Sequence, residues 1–321
     1  MLVASMMATG ALARVLPPTL PQPDPHLLAA PTVAATDGFA TGPHGRVFFR
    51  RFGSGGAVPA IVLHGGPAAG HGYMLPYAHL ARDRPTVLYD QGGCGRSDAP
   101  GPRSRYTIGS YVAELEALRA HLGFERVHLI GHSWGGLLAP AYAARYPHRV
   151  AGLVLAGSAR RWSDFQRAAE HWLAQLGPAA VATARRAAAT GRFDDPAYQA
   201  LIGRYYQLHL CRLDPWPTIL TDAAAALGAN PLYPYLNGPT EFQFTGAFAS
   251  LDVTAALRTV RVPALVTCGE YDEGPPSVAR DIAAHLGHAR VQPFAGLSHM
   301  SHIEDPARVV GATARFLASV A

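Results

Sequence analysis

Short apolar runs alternate with helix-like stretches along most of this 321-residue chain. The runs are rich in Val, Ile, Leu and Phe and are bounded by Gly, Pro or polar residues, which is typical of strands buried in a sheet. Strands are predicted at 46–52, 60–66, 86–91, 127–133, 150–158, 263–270 and 289–295. Strands that alternate with helices predict an α/β fold, a mostly parallel sheet flanked by helices.

One of the helix-like stretches, 110–123, places Leu115, Leu118 and Leu122 on one face, and Gly123 follows as a stop. Apolar residues at this spacing form the stripe by which a helix packs on a sheet. Glu114 lies near the start of the same stretch.

The alternation stops after residue 158. Residues 159–255 are helical in pattern, rich in Ala and aromatic residues, and contain no strand candidate. We therefore predict an α/β core formed by residues 41–158 and 256–321, with a helical cap at 159–255 inserted between two strands. Such a cap would cover the sheet edge where ligands bind in open α/β sheets. Residues 204–216 are expected to be scaffold within it.

The N-terminal 40 residues lack the alternating pattern. An apolar start ends in Ala-Leu-Ala, like the end of a secretory signal, but no basic region precedes it. Closely spaced prolines follow, and proline at that density disfavours regular pairing. We expect a flexible, Pro-rich leader over 1–40 and a cytoplasmic protein. Export is the alternative, if the apolar start belongs to a signal peptide.

Composition narrows the range of partners. The 27 basic residues, all arginine, give a formal net charge of +5, but they are scattered and form no basic stripe, so nucleic acid is not expected. No window reaches the roughly 18 apolar residues that a membrane-spanning helix needs. The 3 cysteines fit neither a disulfide framework nor a zinc site. We expect a monomer that needs no metal and no cofactor.

A candidate nucleophile stands at 129–136, which read LIGHSWGG. The G-x-S-x-G pattern lies between a predicted strand and a predicted helix, the context in which it forms a tight turn. Glycine is needed at Gly131 and Gly135, because a side chain there would collide with neighbouring backbone. The turn exposes Ser133 at a helix N-terminus, where an anion is stabilised.

A serine nucleophile needs a base and an acid that orients the base. In folds built on this turn, the acid and the histidine follow the serine in that order, each after a later strand. Asp272 ends the strand 263–270, and His299 follows the strand 289–295. His302 is the alternative base, and His299 is preferred because it is nearer the strand end. Such a base predicts that kcat/KM falls as pH drops through about 6.5.

The oxyanion that forms during acyl transfer needs backbone N–H donors. One donor is expected from Trp134, the residue after the nucleophile, and the other from the glycine loop at 64–67, which reads HGGP. Pro67 has no N–H, so Gly66 is the candidate.

Several motifs together resemble the proline iminopeptidases of the α/β-hydrolase superfamily. They are HGGP, DQGGCGRS at 90–97, GHSWGG, NGPTEF at 237–242, GEYDE at 269–273 and SH at 298–299. The resemblance extends from about residue 45 to 320. It implies an N-terminal exopeptidase with Ser133, Asp272 and His299 as its triad and with substrate-binding residues in a helical cap.

The resemblance also assigns a role to acidic residues. It implies that Glu273, after the triad aspartate, and Glu241, in the cap motif, hold the terminal nitrogen of a small peptide or aminoacyl substrate. An ammonium is costly to desolvate unless anions receive it, and Glu241 stands in a segment otherwise made of uncharged residues. Glu270 is expected to have only a structural or surface role.

The chain departs from the family pattern at Ala68, where the loop usually has glycine, and at Gly92, where a bulkier residue is common. Both changes bear on loop shape and substrate choice. A small apolar pocket for proline is expected from Trp134, Phe242, Tyr271 and Cys268. Two alternatives remain: an aminoacyl amidase or esterase that acts on a peptide-like metabolite, and a non-catalytic small-molecule binding protein on a hydrolase fold.

Overall fold

The structure, a computed structural model, describes residues 19–320. Its strands are β1 Ala35–Gly42, β2 Gly45–Phe52, β3 Ala60–Leu63, β4 Thr86–Tyr89, β5 Val127–His132, β6 Val150–Ala156, β7 Ala264–Gly269 and β8 Ala289–Phe294. They form one eight-stranded sheet in the order β1-β2-β4-β3-β5-β6-β7-β8. The pairs β1/β2 and β2/β4 are antiparallel, and all other neighbouring pairs are parallel.

Helices cover both faces of this sheet, and the cap helices lie beyond the carboxyl ends of its parallel strands. They are α1 Pro25–Leu28, α2 Ile108–His121, α3 Gly135–Arg145, α4 Trp162–Gln175, α5 Pro178–Thr190, α6 Pro196–Tyr205, α7 Thr218–Ala229, α8 Leu232–Leu236, α9 Thr254–Thr259, α10 Pro276–His285, α11 Ser301–Glu304 and α12 Pro306–Ser319. Short 3-10 segments occupy Gly72–Arg82, Arg103–Arg105 and Pro147–Arg149, and a π-helical turn occupies Tyr206–Leu210.

The five central strands β3 to β7 are buried at every position. Helices lie on both of their faces, which is why their sequences are continuous apolar runs and do not alternate. All seven predicted strands are present, although several end two or three residues earlier than predicted because the chain turns there into a loop. The predicted α/β fold with a helical cap is confirmed.

The prediction of an unstructured leader over 1–40 is wrong for its last part. Residues 35–42 form β1, which pairs with β2 along its full length. Only Ala40 of this strand is buried, so the segment lacks the apolar pattern that reveals an inner strand. Residues 1–18, which include the signal-like start, lie outside the described residues.

The cap is inserted between β6 and β7 through a neck of two adjacent segments. The Trp162 amide donates to the Leu251 carbonyl oxygen at 2.9 Å, and the Val253 amide donates to the Arg160 carbonyl oxygen at 2.9 Å. Helices α4 to α8 lie between these segments. Helix α9 crosses the predicted boundary at 255, because the chain is already back on the core at the neck.

Candidate active site

Ser133 occupies a tight turn between β5 and α3. Its φ of 54° lies in the left-handed region that residues with a side chain rarely adopt. A Cβ on Gly131 would lie 2.2 Å from the Gly135 carbonyl oxygen, and one on Gly135 would lie 2.2 Å from the Leu63 carbonyl oxygen. Both glycines are therefore required by close backbone packing, and the turn presents the serine to the cavity described below.

Asp272 and His299 meet beyond the ends of β7 and β8. The Asp272 Oδ1 atom lies 2.8 Å from His299 Nδ1 and accepts the Gly274 amide at 2.9 Å, while Oδ2 accepts the Gly269 amide at 3.2 Å. Asp272 is fully buried and His299 is 3% exposed. Backbone donors thus fix the carboxylate, and the carboxylate orients the imidazole.

His302, the alternative base, points elsewhere. It lies on α11 with its Nε2 atom 3.2 Å from the Tyr73 carbonyl oxygen, and burial lowers its pKa to about 3. The imidazole that contacts Asp272 is therefore that of His299.

Glu273 and Glu241 lie on the open side of His299. The Glu273 Oε2 atom is 3.6 Å from His299 Nε2, and Glu241 accepts a hydrogen bond from the Tyr233 hydroxyl. Burial raises the pKa of both glutamates. Within residues 19–320, the Glu273 Oε1 atom is buried without a hydrogen-bond partner.

The acidic surroundings change the protonation of His299. Burial by itself lowers the pKa of this imidazole, but the charges of Asp272 and Glu273 outweigh that effect and raise it to about 9. Negative charge on these neighbours therefore favours the protonated form of the imidazole.

These groups face one cavity of about 660 Å³ between the core and the cap. Ser133, His299, Glu241 and Glu273 contribute polar groups to one part of the cavity wall. Most of the remaining wall is apolar. The aromatic part of the wall consists of Tyr73, Trp162, Phe165, Phe193, Tyr198, Tyr205, Tyr206, Trp216, Tyr233 and Phe244. Leu220, Ala223, Ala224, Leu227 and Gly228 of α7 form another part.

This lining corrects two predictions. Trp134 and Cys268 are buried in the core, Phe242 is buried among apolar residues of the cap, and Tyr271 packs under Arg212, so none of the four lines the cavity. Residues 204–216 are more than scaffold, since four of them, Tyr205, Tyr206, Leu210 and Trp216, line it. The sequence missed these aromatic residues because helix periodicity does not reveal which cap face turns toward the core. Glu270 is exposed and accepts the Gly296 amide at 2.9 Å.

Two backbone donors are free near the serine. Within residues 19–320, neither the Gly66 nor the Trp134 amide donates to a protein acceptor. The Trp134 indole N–H donates to Gln91 Oε1 at 2.7 Å, and Gln91 Nε2 donates to the His64 carbonyl oxygen at 2.9 Å. Gln91 thereby connects the glycine loop to the serine turn.

The two departures from the family pattern have structural consequences. Ala68 has a φ of 84°, a conformation that glycine adopts more easily. A Cβ on Gly92 would lie 2.4 Å from His44 Cβ, because a buried His44–Glu114 pair, joined at 2.6 Å, fills the space beside it. Glu114 also accepts the Gly92 amide at 3.0 Å. No sequence pattern pointed to this pair, whose members are 70 residues apart.

Metal ligands are not clustered in the part of the chain that the structure describes, where no group of three His, Cys, Asp or Glu residues could hold an ion. Cys94, Cys211 and Cys268 are buried free thiols.

Comparison with known proteins identifies similar chains. Residues 59–306 match the α/β hydrolase fold family. A proline iminopeptidase of Heyndrickxia coagulans is 32% identical over 289 residues, covering 89% of this chain and 99% of the relative. One of Saccharolobus solfataricus is 34% identical over 262 residues, covering 81% and 84%. The crystal structure of a proline iminopeptidase of Mycobacterium smegmatis superposes with a TM-score of 0.83 at 32% identity, covering 88% of this chain and 98% of that one.

Proposed function

The chain belongs to the proline iminopeptidases of the α/β hydrolase fold family, and we propose that it is a serine exopeptidase that releases an N-terminal residue, preferably proline, from peptides. The observation that carries this proposal is that Ser133, His299, Glu241 and Glu273 all line one cavity. Cleavage beside a free N-terminus requires a nucleophile and a base close to anions that receive an amine.

The proposed reaction passes through an acyl-enzyme. Ser133 attacks the carbonyl carbon of the first peptide bond while His299 accepts the hydroxyl proton, and His299 then protonates the leaving amine. Asp272 accepts the hydrogen bond from His299 Nδ1 and stabilises the imidazolium. Water, activated by His299, then releases the free amino acid and restores the Ser133 hydroxyl.

We assign to the Gly66 and Trp134 amides the role of stabilising the negative charge that develops on the carbonyl oxygen. Both are free of protein acceptors within residues 19–320, so they can donate to the oxyanion without first breaking a bond. Donors held in place before the reaction lower the barrier most.

We assign to Glu241 and Glu273 the role of binding the substrate amine. Burial raises the pKa of Glu241 and Glu273, and an ammonium between them would favour their ionised forms. It would also supply a donor to the unpaired Glu273 Oε1 atom. A substrate with a blocked N-terminus offers no such cation and should bind poorly.

The test compares a prolyl arylamide with its N-acetylated form. We expect acetylation to lower kcat/KM by about 10²–10⁴-fold, since charge-assisted hydrogen bonds are lost. Glu273→Gln should lower kcat/KM for the free amine by about tenfold or more, whereas Glu270→Gln, the same change at an exposed site, should not. Ser133→Ala should abolish both hydrolyses.

Other outcomes identify the alternatives. Equal rates for the free and acetylated substrates would exclude the amine role and leave an aminoacyl amidase or esterase. Hydrolysis that is unchanged in Ser133→Ala would indicate a non-catalytic binding protein contaminated by another hydrolase.

We further propose that the protein works as a cytoplasmic monomer on small peptides, without nucleic acid. The scattered arginines, which form no basic stripe, support the last point. Among residues 19–320, no helix combines the length and apolarity needed to cross a membrane.

A further inference from the structure

Three loops carry the chemistry proposed above: the glycine loop at 64–67, the serine turn at 132–135 and the His299 loop at 297–300. Two side chains without a role in that chemistry, Tyr73 and His132, lie between these loops. Tyr73 is 2% exposed and His132 is 1% exposed. Buried polar groups are costly unless they are hydrogen-bonded, so their contacts are informative.

Both side chains bond to the loops on either side of them. The Gly65 amide lies 2.6 Å from the Tyr73 hydroxyl oxygen, and this oxygen lies 2.9 Å from His132 Nδ1. On the other side of the ring, His132 Nε2 lies 3.1 Å from the His299 carbonyl oxygen. The result is a continuous chain of hydrogen bonds from the glycine loop, through the serine turn, to the His299 loop.

The direction of every bond in this chain is determined. A carbonyl oxygen only accepts, so His132 Nε2 carries the proton and Nδ1 of the neutral ring is an acceptor. The Tyr73 hydroxyl therefore donates to Nδ1 and accepts from the Gly65 amide. Burial holds the pKa of His132 well below its usual value and raises that of Tyr73 above its usual value, so both groups stay neutral.

The three loops are closely packed against one another. A Cβ on Gly65 would lie 2.7 Å from Ser133 Cβ and 2.9 Å from the Tyr73 hydroxyl oxygen. The rings of His132 and His299 are 4.6 Å apart between centroids. The hydrogen-bond chain thus fixes segments that are already in close contact.

We propose that Tyr73 and His132 are positioning residues that hold the Gly66 and Trp134 amides and the His299 ring in register around the Ser133 hydroxyl. This inference rests on the proposed serine hydrolase function. Both side chains also line the cavity that holds Ser133 and His299, but in this hydrogen-bond chain they contact the loops and not the Ser133 hydroxyl. Their effect is on alignment, and misplacement of catalytic groups by about 1 Å can cost about 10²-fold in rate.

The central experiment is Tyr73→Phe, which removes one oxygen atom and leaves the ring in place. The Gly65 amide and His132 Nδ1 both lose their partner, so the link through Tyr73 is lost and the glycine loop keeps only its link to the serine turn through Gln91. We expect kcat to fall about 10–100-fold while KM stays within about threefold, because the amine-binding glutamates are untouched. Tyr89→Phe is the matched control, since that buried hydroxyl has no partner within residues 19–320.

A second pair of variants tests the other half of the chain. His132→Gln retains one acceptor and one donor at a similar separation, whereas His132→Leu has neither. We expect His132→Gln to keep at least about tenfold more of the kcat than His132→Leu. A role in stability alone would lower the unfolding temperature of both variants without this difference in kcat at 25 °C.

The rate of Ser133 phosphonylation by a fluorophosphonate ester separates this inference from the proposed function. The probe needs the nucleophile, the base and the oxyanion donors, but it has no amine. Slower labelling of Tyr73→Phe than of Tyr89→Phe, by about tenfold, would support positioning. Equal labelling rates would overturn the inference and leave the proposed function intact. A wild-type protein that is not labelled would overturn the proposed function itself.

Discussion

His299 lies among three carboxylates, and this enclosure governs its protonation. Sequence alone suggested a base with a pKa near the usual value of about 6.5. In the structure, burial lowers the pKa, yet the charges of Asp272, Glu273 and Glu241 together raise it to about 9. The difference arises because Glu241 comes from the cap and Glu273 from the loop after β7, and only the folded chain brings them to the ring.

This enclosure predicts the pH profile. A general base must be neutral, so kcat/KM should rise with pH as His299 loses its proton, with the acid limb well above pH 6.5. Glu273→Gln removes one of the charges that raise the pKa and should move the limb to lower pH. The profile is best measured between about pH 5 and 10 with an ester that carries no amine, so that substrate ionisation does not contribute.

Glu270→Gln is the control for this measurement, since the exposed Glu270 side chain bonds to the Gly296 amide and does not contact the imidazole. Its profile should match that of the wild type. An acid limb at the same pH in Glu273→Gln and in the wild type would contradict our account of His299.

Single residues differ in how far sequence could place them. Ser133 and its flanking glycines were predicted because a local rule, the strand-turn-helix context, determines them. The choice between His299 and His302 needed the fold, which brings the first and not the second to Asp272. Tyr73 and His132 carry no local signal at all, since their partners lie up to 167 residues away.

Two cap elements form hydrogen bonds to the loop that contains Asp272. The Trp172 indole of α4 donates to the Asp272 carbonyl oxygen at 3.0 Å, and His209 Nδ1 lies 2.9 Å from the Tyr271 carbonyl oxygen. The Trp172 and His209 rings stack with centroids 4.3 Å apart. The His299 amide in turn donates to the His209 carbonyl oxygen at 3.0 Å. The cap is therefore part of the support for both Asp272 and His299.

His209→Phe tests this support. The variant keeps a ring on Trp172 but leaves the partly buried Tyr271 carbonyl without its donor, which should lower the free energy of unfolding by about 1–3 kcal/mol. It should also lower kcat, because the Asp272 loop is less firmly held. Urea denaturation and initial rates measure the two effects.

His171→Phe provides the comparison, since this exposed neighbour on α4 also touches the Trp172 ring but makes no bond to the Asp272 loop. We expect its free energy of unfolding to stay within about 0.5 kcal/mol of the wild type. Equal stability and equal kcat in the two variants would refute the supporting role.

Strands and helices could be predicted where their burial produces a recognisable pattern of apolar residues. The strands β3 to β7, buried on both faces, are continuous apolar runs and were found. The edge strand β1 was missed because almost all of it is exposed, and such a strand depends on pairing with β2 more than on its own side chains. The cap helices were expected, but their packing faces were not.

The cap, which forms much of the wall of the Ser133 cavity, is expected to limit the size of substrates. The cavity of about 660 Å³ is in the range of small-ligand pockets, whereas an extended peptide adds about 3.3–3.6 Å per residue. In the proposed binding mode, in which Glu241 and Glu273 receive the amine, a long peptide meets the wall of the cavity after a few residues.

We therefore expect kcat/KM to decrease as prolyl peptides lengthen from about two to about ten residues, by about tenfold or more. A folded protein with an N-terminal proline should resist cleavage. Proline release, followed by mass spectrometry, measures both. Equal release from the dipeptide and from the folded protein would show that the cap does not restrict access.

The two segments that join core and cap, Arg160–Trp162 and Leu251–Val253, are paired side by side, so a different cap inserted between them would not require the ends of β6 and β7 to move apart. The hydrogen bonds from Trp172 and His209 to the Asp272 loop restrict which caps could be inserted. A cap of different sequence would form a different binding cavity. It would support catalysis only if it also supplied hydrogen-bond donors to the carbonyl oxygens of residues 271 and 272.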